Sequence, residues 1–195
     1  MRIQDRLTKL RNKRGFILVE LMIVVAIIGV LAALAIYGVR KYLTNAKTAE
    51  ARMALGRLSK DAQTAFEREA VTTGIITLQQ TANIAHVLCP AAPAVPALST
   101  AVQNQKYQSS PADWKGPWEC VHFSMNDPQY FIYSYLVPQA TNPAAAGDNF
   151  IAQAQGDLDG DTQLSTFQLP GQVQAASGEM VLTLAATITE SNPEE

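Results

Sequence analysis

The feature that most constrains this chain is a long apolar run near its N-terminus. Residues 16–39 read FILVELMIVVAIIGVLAALAIYGV, with Glu20 as the single charged side chain among them. At about 1.5 Å of rise per residue, a helix of this length spans roughly 36 Å, which is enough to cross the apolar core of a bilayer, about 30 Å thick. The run therefore predicts a membrane-spanning helix.

Charge is distributed unevenly on the two sides of this run. Residues 1–15 carry six basic side chains against Asp5, a net charge of +5, whereas residues 70–195 carry two basic and eleven acidic side chains, a net charge of −9. Basic residues ahead of a spanning helix stay on the cytoplasmic side, so we expect the bulk of the chain to be exported. The acidic bulk disfavours nucleic-acid binding, because phosphate contacts need clustered Lys and Arg.

The start of the chain is open to three interpretations. A secretory signal peptide would be cut near the small-residue pattern Ala33-Leu34-Ala35, a permanent anchor would stay intact, and a third cut would fall between the basic leader and the run. Glu20 favours the third, because a carboxylate in an apolar helix costs about 2.5–3.5 kcal/mol and usually has a partner. Cleavage between Gly15 and Phe16 would place a new α-ammonium group one helical turn before Glu20.

The residues around this cut resemble a known signature. A basic leader, Gly15 and the run from Phe16 to Gly29 are similar to the N-terminal segment of type IV pilins and their pseudopilin relatives. The resemblance implies that a prepilin peptidase cuts after Gly15 and that Phe16 becomes the N-methylated N-terminus. It also implies that Glu20 meets the amine of an incoming subunit, and that inner-membrane assembly machinery builds a homo-oligomeric helical filament.

One residue departs from the family pattern. Tyr37 stands where the family often has proline, and Gly38 follows it. Proline removes a backbone donor and kinks a helix, which tyrosine does not do. The family resemblance therefore gives less reason to expect local unwinding of the helix in this chain. Because pseudopilins also often lack this proline, both subfamilies stay open at this point.

Beyond Val39 the apolar positions become periodic. They follow three- and four-residue steps with one lysine among them, namely Leu43, Lys47, Ala51, Leu55, Leu58, Ala62, Ala65 and Phe66. This spacing is typical of one face of a helix, so we predict a single helix of roughly 50 residues with a spanning half at 16–39 and an amphipathic half at 40–70. A sheet from the same chain is the expected cover for the apolar stripe.

The rest of the chain predicts a loop followed by a sheet. Five prolines at residues 89–118 predict a surface loop, within a connection at 71–118. Strand signals follow at residues 120–125, 130–137, 150–154, 164–169 and 180–188. Because short turns connect them, we expect an antiparallel sheet at 119–195. The predicted fold is α+β, a long N-terminal α-helix packed on an antiparallel β-sheet, as in type IV pilins.

A second resemblance lies in the C-terminal half. Residues 150–161 read FIAQAQGDLDGD, and together with Leu164–Phe167 and the ending at 190–194 they are similar to C-terminal segments of pilins from myxobacteria and their relatives. This likeness favours a type IV pilin over a pseudopilin of type II secretion.

Two cysteines, Cys89 and Cys120, lie on the predicted exported side, where an oxidising compartment favours a disulfide. The bond would close a loop of about 31 residues. The alternative is a zinc site that these cysteines form with His86 and His122, although this spacing is not a recognised structural-zinc pattern.

Asp157, Asp159 and Asp161 alternate in a turn, which is how calcium-binding loops begin. Thr162 and Gln168 replace the glycine and the glutamate that an EF-hand needs. A plain acidic turn is therefore the preferred interpretation, and a calcium site is the alternative.

No set of catalytic residues stands out in the sequence, because the serines lack a paired base and no glycine-rich phosphate loop occurs. Trp114 and Trp118 are predicted to pack beneath the loop, with an exposed binding patch as the alternative. We therefore predict a protein that is neither an enzyme nor dependent on a cofactor.

The resemblance to type IV pilins implies a structural filament subunit that supports motility and adhesion. The precursor would lie in the inner membrane of a Gram-negative bacterium, and the mature subunit would form an extracellular surface filament with its acidic part outside. Two alternatives stay open, a type II secretion pseudopilin and a minor pilin that acts as a membrane-tethered adhesin.

Overall fold

The chain divides into two compact units, Met1–Tyr42 and Leu43–Glu195. The computed structural model describes residues 18–68, 70, 71, 78 and 84–193. The predicted leader at 1–15, with Gly15 and Phe16 at its cleavage point, lies outside the described residues.

Helix α1 spans Leu18–Glu67 and is 50 residues long, which confirms the prediction of a single long helix. Its many alanines and leucines are strong helix formers, and no proline interrupts it. The side chains are exposed as far as Leu43, and burial starts at Thr48 and follows one stripe of the helix. The predicted buried stripe is therefore correct from Ala51 onward but wrong for Leu43, whose exposed fraction is 54%.

The helix ends at Glu67 rather than at residue 70. Residues Ala70–Val71 form a short strand, β1, which pairs antiparallel with β2 at Ile84–Ala85. The carbonyl of Phe66 lies in the last turn, and the Nδ1 atom of the His86 imidazole is 2.8 Å from it. The last carbonyl groups of a helix have no backbone N–H to bond within the helix, and here a side chain from outside the helix bonds one of them.

A six-stranded antiparallel sheet follows the helix. Its strands are β3 (Ala92–Val95), β4 (Ile132–Gln139), β5 (Asn149–Gly156), β6 (Ser165–Ala176), β7 (Glu179–Leu184) and β8 (Thr189–Ser191). The order is β3-β4-β5-β6-β7, and β8 pairs with the first part of β6 while β7 pairs with its last part. The expected α+β architecture is confirmed, and four of the predicted strands correspond to β4, β5, β6 and β7.

The predicted strand at residues 120–125 is wrong. Residues Pro117–Val121 form a short helix, α2, in which Pro117 occupies the first turn, where backbone N–H groups have no helical partner. This turn directs Trp118 and Val121 into the core, where both are fully buried. A short apolar run does not distinguish a strand from one helical turn by its periodicity.

The proline-rich segment contributes to the sheet, so its description as a surface loop is incomplete. Strand β3 lies at the edge of the sheet, where proline is tolerated because one side of the strand makes no ladder hydrogen bonds. The indole N–H of Trp118 donates to the carbonyl of Pro93 at a distance of 3.1 Å. Through this bond, a side chain of α2 contacts the backbone of β3.

The core lies between the second half of α1 and one face of the sheet. Strand β5 shows the alternation that produces it, because Phe150, Ala152 and Ala154 are buried while the residues between them are partly exposed. The helix contributes Leu55, Leu58 and other buried side chains to the same cluster. Each large side chain buried in this way contributes about 1.5–3 kcal/mol.

Two glycines with opposite surroundings give a test of this packing. A Cβ atom at Gly171 would overlap the ring of Phe150, whereas a Cβ atom at Gly56 in α1 would meet nothing within 4 Å. We expect Gly171→Ala to lower the free energy of unfolding by about 1–3 kcal/mol through overpacking. Gly56→Ala should raise it by about 0.5–1 kcal/mol, because alanine is the better helix former. Denaturant unfolding of both variants measures the difference, and equal effects would contradict this packing.

Candidate functional site

The candidate functional site is the N-terminal part of α1. Apart from Glu20, its side chains are apolar, and they are exposed on every face of the helix from Leu18 to Val39. An 18-residue window of α1 has a mean hydropathy of 2.9 with no residue buried, so by length and composition the helix could cross a membrane. A helix that is apolar on every face is typical of a segment that is buried in lipid or in other protein.

Glu20 lies in the first turn of α1. Acidic groups at this end are favoured by the helix dipole, which places partial positive charge on the first N–H groups. The other predicted member of the assembly pair, the amine of Phe16, lies outside the described residues. The role of Glu20 in assembly therefore stays a prediction.

The helix continues unbroken through the position that often holds proline in the family. Tyr37 and Gly38 both lie within α1, and so does Gly29. With a backbone N–H at residue 37, the helix keeps the hydrogen-bond donor that a proline would remove.

Cys89 and Cys120 form a disulfide, with an S–S distance of 2.03 Å and a Cα–Cα distance of 5.8 Å. The bond joins the segment before β3 to α2, so Cys120 lies in a helix and not in the strand predicted at residues 120–125. The zinc alternative is wrong, because both sulfur atoms are used in this bond. The two histidines have other contacts, since His86 lies against the end of α1 and the ring of His122 lies 3.2 Å from the Arg68 guanidinium.

The acidic turn brings the carboxylates of Asp157, Asp159 and Asp161 within 4.8 Å of one another. Asp157 is buried, and its two oxygen atoms accept hydrogen bonds from the backbone N–H groups of Gly160 (2.7 Å) and Thr162 (3.0 Å). The other two carboxylates are exposed. Asp157 thus orders the turn through its bonds to the backbone N–H groups three and five residues further along the chain.

Calcium is expected to have little effect on this turn. Both oxygens of Asp157 already accept backbone hydrogen bonds, and a bound ion would compete with them. We predict that 1 mM calcium, an amount on the scale of weak extracellular sites, shifts the unfolding midpoint by less than about 1 °C relative to a chelator. A larger rise of the unfolding midpoint with calcium, absent from the double variant Asp159→Asn/Asp161→Asn, would contradict the prediction.

The two tryptophans are packed in the core and do not form a surface patch. Trp114 and Trp118 are both buried, and their rings meet edge-on at a centroid distance of 5.1 Å. The indole N–H of Trp114 donates to the hydroxyl of Ser109 at 3.0 Å. The preferred interpretation is therefore correct, and the exposed aromatic patch is excluded.

A polar cluster at Glu50 was missed by the sequence analysis. The Glu50 carboxylate accepts hydrogen bonds from the backbone N–H of Tyr130 (2.9 Å) and the hydroxyl of Tyr133 (3.3 Å). The ammonium groups of Lys47 and Lys106 lie 4.9 Å and 4.6 Å from the centroid of the Tyr130 ring. Burial is the main reason that the pKa of Glu50 lies above its ordinary value. No local pattern indicated the two hydrogen bonds of Glu50, because they join residues 80 and 83 positions apart.

A second unpredicted contact joins α1 to β8. The Arg52 guanidinium makes two bonds to the Glu190 carboxylate, with Nε–Oε1 and Nη2–Oε2 distances of 2.7 Å and 3.0 Å. These hydrogen bonds are the main cause that holds the pKa of Glu190 below its ordinary value. Paired geometry of this kind is the strongest that a carboxylate and a guanidinium adopt.

This pair predicts a pH-dependent contribution to stability. Because the pKa of Glu190 is lowered in the folded state, the contribution is present at neutral pH and is lost as the pH falls below the ordinary value of 4.5 and through the lowered one. We expect Glu190→Gln to reduce the free energy of unfolding at pH 7 by about 0.5–1 kcal/mol, since the pair is partly exposed. The free energies of unfolding of the parent and of Glu190→Gln should become equal below the lowered pKa. A difference between them that stays constant down to acid pH would show that it does not arise from the Arg52–Glu190 pair.

One family model matches the chain, that of the prokaryotic N-terminal methylation motif, over residues 10–36. The matched residues contain the end of the basic leader, the Gly15–Phe16 bond, Glu20 and most of the apolar run. No curated protein and no solved structure matches the chain. The likeness of residues 150–161 to myxobacterial pilins therefore stays a prediction. The motif supports a type IV pilin-like prepilin that a prepilin peptidase processes, and the apolar helix behind it is long enough to anchor such a precursor in a membrane.

Proposed function

We propose that the mature chain is the structural subunit of a type IV pilus-like filament. The observation that carries the proposal is the combination of a methylation motif with a helical segment, Leu18–Val39, that is exposed on all faces and apolar apart from Glu20. A permanent anchor would need the apolar segment but not the motif. In a filament, neighbouring copies of the same helix would cover these side chains as lipid does in the precursor.

The leader must be removed before such packing occurs. Residues 1–15 carry a net charge of +5, which would lie beside the apolar core of the filament. The free-energy cost of removing several unpaired charges from water is far larger than the free energy gained when these helices pack together. Cleavage removes these charges and leaves one α-ammonium group at Phe16, for which the Glu20 of a neighbouring copy is the proposed partner.

The acidic part of the chain would form the outside of the filament. Residues 70–195 have a net charge of −9, and the disulfide and the buried core hold together the part of this range that the structure describes. We infer an extracellular filament on a Gram-negative bacterium that supports motility and adhesion by mechanical means. The filament requires the inner-membrane machinery that extracts each subunit from the bilayer.

Mass spectrometry of filaments sheared from the cell surface tests this proposal. We expect the chain to be the main component, with methylated Phe16 at its N-terminus and a mass two daltons below that of the dithiol. A mature N-terminus at Ile36, as a signal peptidase would produce, would contradict the proposal. A chain found only in trace amounts would favour the minor-pilin alternative, and one found only in the periplasm would favour the pseudopilin.

A further inference from the structure

A groove with a volume of about 460 Å³ lies on the sheet face that is turned away from the core. It is formed where β4, β5, β6 and β7 lie side by side. The apolar residues Ile151 and Pro170 line it together with the polar residues Asn149, Gln172, Gln174 and Thr183. A volume of this size is within the range of small-ligand sites.

No ionisable residue lines this groove within the described part of the chain. This is unusual in a part of the molecule with a net charge of −9. The surrounding outward positions of β5 and β6 are uncharged as well, and they are Gln153, Gln155, Thr166 and Gln168. The field of the acidic surface disfavours an anionic ligand, and the groove offers no carboxylate to a cationic one.

Two side-chain amides in the groove have unused hydrogen-bonding capacity. Neither Gln172 nor Gln174 has a side-chain hydrogen bond to any residue that the structure describes. On the same face, by contrast, Gln153 bonds Ser134 and Gln155 bonds Thr166. Each free amide offers two donors and one acceptor oxygen. A purely apolar ligand would bury these groups without partners, which costs about 1–3 kcal/mol for each group.

We propose that this groove binds a neutral saccharide. A sugar hydroxyl both donates and accepts, which matches the amides of Gln172 and Gln174, and the C–H faces of a sugar ring match the apolar surfaces of Ile151 and Pro170. A neutral saccharide also carries no charge that the acidic surface would repel. The ligand class follows from these three properties together, and it does not depend on whether the chain forms a filament.

Affinity electrophoresis of the unassembled full-length chain tests the proposal. The chain is solubilised in a detergent without a sugar headgroup, and native gels contain dextran, mannan or galactan as neutral probes and dextran sulfate as the charged one. We expect retardation by at least one neutral polysaccharide and none by dextran sulfate. Gln172→Glu/Gln174→Glu keeps the side-chain shapes but removes the donors, and it should weaken binding at least about tenfold.

Gln168→Glu is the matched control, because Gln168 lies on the same face of β6 but outside the groove. It should change binding less than about twofold. Should the double Glu variant not fold, as judged by its thermal unfolding, Gln172→Ala/Gln174→Ala replaces it with the same expectation. Failure of every neutral probe to retard the chain overturns the proposal, and so does equal weakening by the control. A double variant that keeps saccharide binding but no longer forms filaments also overturns it, since the groove would then be a contact between copies.

Discussion

A Glu20→Ala prepilin is expected to be trimmed normally and yet to leave cells almost without filaments. Without the carboxylate, the α-ammonium at Phe16 of each copy would enter an apolar environment with no partner. By insertion scales such a charge costs about 2.5–3.5 kcal/mol, which corresponds to roughly 100-fold weaker addition of each subunit. Immunoblots of sheared filaments and of whole cells measure the two outcomes, assembly and trimming, separately.

Two further variants separate charge from shape. Glu20→Gln has nearly the same volume without the charge, and it should fail to assemble to a similar degree. Met22→Ala removes more apolar surface from the same helix but no charge, and it should assemble at a level within a few-fold of the parent. Wild-type filament levels for Glu20→Ala, with normal trimming, would falsify the pairing of Glu20 with the new N-terminus.

Replacing both cysteines, in Cys89→Ser/Cys120→Ser, is expected to cause a large loss of stability. The bond closes a loop with a sequence separation of 31 residues. On the chain-entropy estimate its removal costs about 3–4 kcal/mol, and in a unit of this size that lowers the unfolding midpoint by about 10 °C. Thermal unfolding followed by circular dichroism measures the shift.

Reduction provides the matched control for the cysteine variant. A thiol reductant should lower the midpoint of the parent protein by a similar amount and leave the variant unchanged. If the reductant shifts both proteins equally, its effect does not arise from this bond. If neither reduction nor substitution changes the midpoint, the contacts around α2 hold the segment without the disulfide.

Much of the molecule follows from local patterns in the sequence. The single long helix, the strands β4 to β7 and the burial of the two tryptophans were all predicted, because helix periodicity and strand alternation are local properties of the chain. The prepilin signature is also local, and the matching family model covers the same residues. The structure differs from these patterns at one short apolar run, residues 120–125, which begins inside the α2 helix at Pro117–Val121 and forms no strand.

The contacts that the sequence did not indicate are all between residues distant in the chain. Glu50 bonds Tyr130 and Tyr133, and Arg52 bonds Glu190 across a separation of 138 residues. The groove between β4 and β7 depends in the same way on the order and register of strands. No periodic pattern specifies which of many glutamates meets a given arginine.

The sequence by itself determined the prepilin-like motif, the apolar helix long enough to span a membrane and the α+β order of elements, because charge, hydropathy and the cleavage motif are each properties of consecutive residues. Only the tertiary structure decided that the apolar stripe of α1 is covered from Thr48 onward, that the proline-rich segment adds an edge strand, and that free amides line an uncharged groove. These features depend on which surfaces meet when the sheet forms. That is set by the packing of the whole core and not by any one segment.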